Sequence, residues 1–200
     1  MASRNERLKQ DLAAAGVDPE AVDYAFRVDA VLQRWRRRFQ KRELGQRAIA
    51  DMGLPIDLSQ LDALTVIWSP ANEYDDGGEG EIMVGTVAQR LAVDPSRASR
   101  IVSELIRRGL VTRGVSQHDA RRAILQLTPL GETLVETVRE YKFLFMGAFL
   151  AGWTPEERAD FLPLLDRFSS WSTGPDDADG RIAAEIEKLR RSVSDLTIPD

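Results

Sequence analysis

The sequence predicts a mainly α-helical protein with one small β-hairpin, and three observations predict it. Apolar residues recur at helical spacing through most of the 200 residues. Between Val111 and Leu127 the period drops to about two, the spacing of strands. Just before that change, two short helical stripes are joined by Ala92-Val93-Asp94, a turn short enough to set the helices at a steep angle.

The elements announce themselves in order. The first 16 residues suggest a short helix through Leu8 and Leu12, an arm or a brace. Asp18-Pro19 opens a helix expected to run to about residue 50, with Val28, Leu32, Trp35 and Phe39 on one stripe. The aspartate can accept from an otherwise unpaired N–H, and proline at the first helical position has no N–H to waste. Asp57-Leu58 opens the next, with Leu61, Leu64, Ile67 and Trp68 as its apolar side. Val84, Val87, Ala88 and Leu91 form a shorter stripe. Asp94-Pro95 then starts a helix whose Ala98, Ile101, Val102, Leu105 and Ile106 face one way. Ser96, Arg100, Ser103 and Arg107 face the other, flanked by Arg97 and Ser99. Gly109 suits the left-handed residue that ends it.

In the hairpin, Val111, Arg113 and Val115 alternate with Thr112 and Gly114, and Leu125 and Leu127 alternate with Gln126 and Thr128. Its tip, from Ser116 to Arg122, is too polar to be buried in its own core and is expected to be solvated or bound. Thr128-Pro129 opens a long helix carrying Leu134, Val138, Tyr141, Phe145 and Phe149. Thr154-Pro155-Glu156-Glu157 is a capping box, followed by Phe161, Leu164, Leu165, Phe168 and Trp171.

Charge singles out one segment. The chain carries −5 overall, yet residues 94–122 hold seven arginines against three acids, +4, leaving −9 elsewhere. A positive patch on an acidic protein favours phosphate contact there and discourages it elsewhere. Any one of these arginines alone reads as part of a solvated face. Together with the paired helices and the polar hairpin tip they read as a double-stranded DNA-binding surface.

Other function classes are excluded or weakened. No run of 18 apolar residues and no signal-peptide pattern is present, so a cytoplasmic protein without membrane association is expected. Cysteine is absent and His118 is the single histidine, which argues against disulfides, thiolate chemistry and a metal centre; no cofactor is expected. Ser116, His118 and Asp119 superficially resemble a hydrolytic triad but crowd a hairpin tip with nothing to hold their geometry, so an enzyme is not expected.

The order of helix, turn and second helix, then Arg107–Arg113 (RRGLVTR) and His118–Gly131 (HDARRAILQLTPLG), resembles the MarR family of winged helix–turn–helix transcription regulators. The resemblance covers roughly residues 20–172, and its most specific parts are Asp119-x-Arg121 and Leu127-Thr128-x-x-Gly131. It implies a homodimer binding a pseudo-palindromic operator, with the helix from Pro95 in the major groove and Arg121 in the neighbouring minor groove. The DNA-contacting set is then Pro95, Ser96, Arg97, Ser99, Arg100, Ser103, Arg107, Arg113, Asp119, Arg121 and Arg122. Arginine forks onto guanine O6 and N7, and a narrow minor groove attracts a guanidinium. Asp119 would orient the wing or the Arg121 guanidinium.

The resemblance also implies a repressor released by a small, often aromatic, anionic effector lodged between the dimer helices and the DNA-binding lobe, with Trp35, Phe39, Trp68 and Tyr141 as wall residues. On this reading residues 1–17 are an arm, 18–56 and 128–172 a helical dimerisation region, 57–127 the winged helix–turn–helix, and 173–200 a linker and short C-terminal helix. The flanking helices carry more apolar side chains than so small a module needs, which points to a partner copy. The rival reading is a winged-helix module that binds protein and not DNA.

Four features stand outside the pattern. Residues 69–81 (SPANEYDDGGEGE) form a long acidic loop, after which Ile82 to Val84 could add a third strand to the hairpin. The run Arg34-Trp35-Arg36-Arg37-Arg38 with Lys41 and Arg42 reads as a solvated basic face around a buried Trp35. DNA-backbone contact is the alternative there, or an anionic effector held by Arg38 or Arg42. Ile182, Ile186, Leu189, Val193 and Leu196 recur at 4, 3, 4, 3, a seam too short to stand alone that either docks on its own dimer or pairs with its twin.

Overall fold

The computed structural model describes residues 2–68, 81–116, 119, 121–173 and 180–194. His118, most of the acidic loop and Leu196 lie outside them. The chain forms two compact units, Arg42–Gly152 and Met1–Lys41 with Trp153–Asp200. The region expected to dimerise, 18–56 and 128–172, is therefore divided between both. No described helix is long and apolar enough to cross a membrane.

In the second unit, α1 (Ala2–Ala14) pairs with α2 (Pro19–Lys41). Lys9 links them through Asp23 at 2.7 Å and lies over the Phe26 ring. Asp18 caps α2 as its sequence predicts, accepting from the N–H groups of Glu20 and Ala21. In α8 (Pro155–Ser169) the capping box forms in full: Glu157 N–H donates to Thr154 Oγ1 at 3.1 Å and Thr154 N–H to Glu157 Oε2 at 2.8 Å. A 3-10 turn, Ser170–Thr173, and α9 (Gly180–Ser194) complete this unit.

Arg42–Gly152 holds α3 (Glu43–Asp51), α4 (Leu58–Trp68), α5 (Val84–Arg90), α6 (Pro95–Arg107), β1 (Val111–Val115), β2 (Ala123–Leu127) and α7 (Pro129–Ala151). Its centre is α4, which buries Leu61, Ala63, Leu64, Val66 and Ile67. That helix starts on a reciprocal cap: Gln60 N–H donates to Asp57 Oδ1 at 2.8 Å and Asp57 N–H to Gln60 Oε1 at 3.0 Å. Around it pack Val87 and Ala88 of α5, Ala98, Val102 and Leu105 of α6, Val111, Leu125 and Val135. The hairpin is antiparallel, with Val111 opposite Leu127 and Arg113 opposite Leu125. Val115 departs from the expected alternation by being exposed.

Two expected elements do not form as read from sequence. The helix from Pro19 does not run to residue 50, because Arg42 takes left-handed backbone (φ 53°) and breaks it into α2 and α3. Nothing in its composition forecasts this, since a left-handed non-glycine residue costs about 1–2 kcal/mol. The compensation is tertiary: both terminal nitrogens of Arg42 donate to the carboxylate of Asp62. Nor do Ile82 to Val84 form a third strand. Residues 81–83 are irregular and Val84 already starts α5, leaving one bond from Leu125 N–H to the Ile82 carbonyl, 2.7 Å.

Asp62 is only 8% exposed, and burial pushes its carboxyl up to about 6 while Arg42 pulls it back. A carboxyl raised in the folded state binds its proton more tightly there than in the unfolded chain. Its contribution to stability therefore grows as pH falls through about 6 towards 3.8 and is lost as pH rises again. The melting temperature of the parent, relative to Asp62→Asn, is expected to climb across that window on acidification. A flat difference would show that Asp62 titrates normally.

Candidate nucleic-acid interface

The helix–turn–helix is built by two chain reversals of the same type. At the end of α5, Ala92 is left-handed (φ 51°); its N–H reaches the Gln89 carbonyl and the Val93 N–H that of Ala88. At the end of α6, Gly109 (φ 70°) repeats this, its N–H bonding Ile106 and the Leu110 N–H bonding Leu105. Both are Schellman closures. The second matches the glycine read from sequence, whereas the first uses an alanine.

Asp94 caps α6, accepting from Arg97 N–H at 2.8 Å and from the Ser96 hydroxyl. Those bonds, that of Ser96 first, hold its carboxyl below the usual carboxylate range. With Ala98, Val102 and Leu105 fully buried, the opposite face of α6 presents Pro95, Ser96, Arg97, Ser99, Arg100, Ser103 and Arg107 to solvent. The hydroxyl of Ser96 is already committed to the cap.

Arg107 is less available than its position suggests. Its Nε and Nη2 donate to Glu104 at 2.8 and 2.5 Å, and Arg108 Nε shares the same carboxylate at 2.7 Å. Arg108 also donates to the Pro55 carbonyl. The two guanidiniums, Arg107 first, draw Glu104 down to about 2. The sequence reading counted Glu104 among the acids of this segment but assigned it no partner, although spacings of three and four along a helix are where ion pairs form.

On the hairpin, Arg113, Arg121 and Arg122 are exposed and Asp119 is half-buried. Asp119 organises the turn through the backbone: Oδ1 accepts from Arg121 N–H at 3.0 Å, and its own N–H donates to Ser116 Oγ at 3.0 Å. Ser116 N–H and the Arg122 carbonyl close the base at 3.0 Å. Its charge pairs with Arg122, at 3.4 Å, and not with the Arg121 guanidinium. Among the described residues, Arg97, Arg100, Arg113 and Arg121 have no ion pair with an acid.

The junction that follows ties the wing to α7. Thr128 Oγ1 caps α7 by accepting from Gly131 N–H at 3.1 Å and donates to the Gly109 carbonyl at 2.7 Å, while Thr128 N–H bonds the Leu110 carbonyl at 3.1 Å.

The proposed effector residues are divided. Trp35 and Phe39 belong to α2 and are 42% and 75% exposed, so the buried Trp35 of the sequence reading is not found. The basic side chains around it are exposed as expected, except that Arg42 is occupied by Asp62. Trp68 and Tyr141 belong to the other unit. Arg139, which sequence reading missed, stands over the Trp68 ring at 5.1 Å and the Phe143 ring at 5.5 Å. Tyr141 donates to Asp51 at 2.6 Å, which with Arg47 lowers that carboxyl; burial pushes the phenol up.

Residues 76–122 match the model of the MarR family. A helix–turn–helix transcriptional regulator of Mycobacterium bovis is 29% identical over 104 residues, 52% of this chain and 66% of that protein. The regulator YdgJ of Bacillus subtilis is 26% identical over 112 residues, 56% and 63%. The chain thus spans just under two thirds of the length of these curated relatives. Its fold is that of a MarR family protein from Bacillus stearothermophilus, with TM-score 0.59 at 21% identity, covering 76% of this chain and 97% of that one. The sequence match over residues 76–122 makes this segment similar to the MarR family, and the architecture of the chain is that of winged helix–turn–helix proteins.

Proposed function

We propose that the protein is a homodimeric repressor that reads a pseudo-palindromic operator. The observation that carries this is the division of α6: three residues wholly buried against α4 and its neighbours, and a serine–arginine face left open beside a hairpin whose Arg121 has no acid partner among the described residues. Arg100 forks onto a base in the major groove, Ser99 and Ser103 bond phosphate or base edges, and Arg121 enters the minor groove. Arg97 and Arg113 meet phosphates.

The partner copy is supported by apolar surface. Phe143, Leu144, Met146 and Phe149 of α7 and Leu162, Leu164 and Trp171 beyond it are all exposed in the single chain. Two-fold symmetry then sets half-sites roughly 10 base pairs apart, centre to centre. Release by a small aromatic anion belongs to the same reading; such a ligand acts only by favouring the DNA-incompetent arrangement over the competent one. The stacked Arg139 and Trp68 offer it a cation and a ring face.

Selection of bound duplexes from random oligonucleotides tests the proposal. An enriched motif with inverted half-sites is expected. Recovery of unenriched sequence would remove operator recognition, and a lone half-site would remove the dimer.

A further inference from the structure

Helix α9 has one apolar stripe and no core of its own to place it on: Ile186, Leu189 and Val193 are 54%, 65% and 60% exposed. The stripe has a register. With Ile186 and Val193 at heptad position a, Leu189 falls at d, and β-branched residues at a with leucine at d favour two parallel strands. The same register puts Glu185 at g and Arg190 at the following e, five residues on. In a parallel in-register pair that is where opposite charges from two copies meet, and symmetry makes the contact twice. An antiparallel pair sets g against g and e against e, where Glu185 and Arg190 find no opposite charge. Within one copy Glu185 bonds Lys188, and Arg190 pairs with Glu187 at 3.4 Å, both on an exposed surface where ion pairs exchange at little cost.

We propose that α9 pairs in parallel with α9 of a second copy, forming a short two-stranded coil. It rests on the homodimer reading. A helix of 15 residues does not hold such a pair alone, but two copies already joined elsewhere supply it at a high effective concentration. The coil is then a second clasp on the dimer.

The chain contains no cysteine, so one introduced thiol reports on the pair without ambiguity. Leu189→Cys in the full chain, mildly oxidised, is expected to give disulfide-linked dimers on a non-reducing gel. Arg191→Cys, at the outward f position, is expected to give far fewer. Adding Glu185→Arg to Leu189→Cys should cut the linked fraction, and adding Arg190→Glu as well should restore it. Equal linking at 189 and 191, or none at 189 in a protein that light scattering shows to be dimeric, overturns the coil and leaves the homodimer standing. A monomer by light scattering overturns both.

Discussion

Gly131→Ala is expected to lower folding stability by about 3 kcal/mol, a fall in melting temperature of roughly 6–12 °C for a chain of this length. A Cβ at that position would lie 2.1 Å from the Leu110 carbonyl oxygen and 3.1 Å from its carbon. The obstacle is backbone, so no rotamer change relieves it. Moving the Leu110 carbonyl in turn disturbs the bond it accepts from Thr128 N–H, and with it the N-terminus of α7. Gly85→Ala is the contrasting case: nothing lies within 4 Å of a Cβ there, and alanine is the better helix former by about 1 kcal/mol. Thermal melts of the two variants should move in opposite directions. Equal melts would mean the junction relaxes freely.

Arg100→Ala and Arg121→Ala together are expected to abolish specific binding at moderate salt while leaving the melt unchanged, because both side chains are exposed and form no ion pair among the described residues. Separately they should fail differently. Loss of Arg100 removes about 1–3 kcal/mol of discrimination at the base it contacts, relaxing preference there. Loss of Arg121 weakens sites most where the flanking minor groove is narrow. Titrations against the selected operator and against variants at single base pairs separate the two. Parental affinity in both variants would show that this face does not read DNA.

The helix starts were legible because each rests on a local bond: Asp18, Asp57, Asp94, Thr128 and Thr154 all cap the residues that follow them. The interruption at Arg42 was not, since its cause, Asp62, lies 20 residues away. Ala92 was hidden for a related reason. Left-handed backbone is advertised by glycine, and here the packing of α5 against α6 imposes it on alanine. At the site, which residues face outward followed from helical periodicity alone. Which arginines stay free did not, because it depends on how Glu104 and Asp119 choose among several cations within reach. The aromatic side chains were least legible, as spacing does not tell a ring that packs inward from one that awaits a second copy.

On the proposed DNA-binding reading, Glu104 and Asp119 also set how the protein would search. Of the seven arginines between residues 94 and 122, Arg107, Arg108 and Arg122 share two carboxylates within the fold, which answer two of their three charges. On that reading, fewer counterions would be displaced from a duplex than composition alone implies. Off-target sequence would be gripped more loosely, dwell times there would shorten, and ionic strength would have less leverage over occupancy.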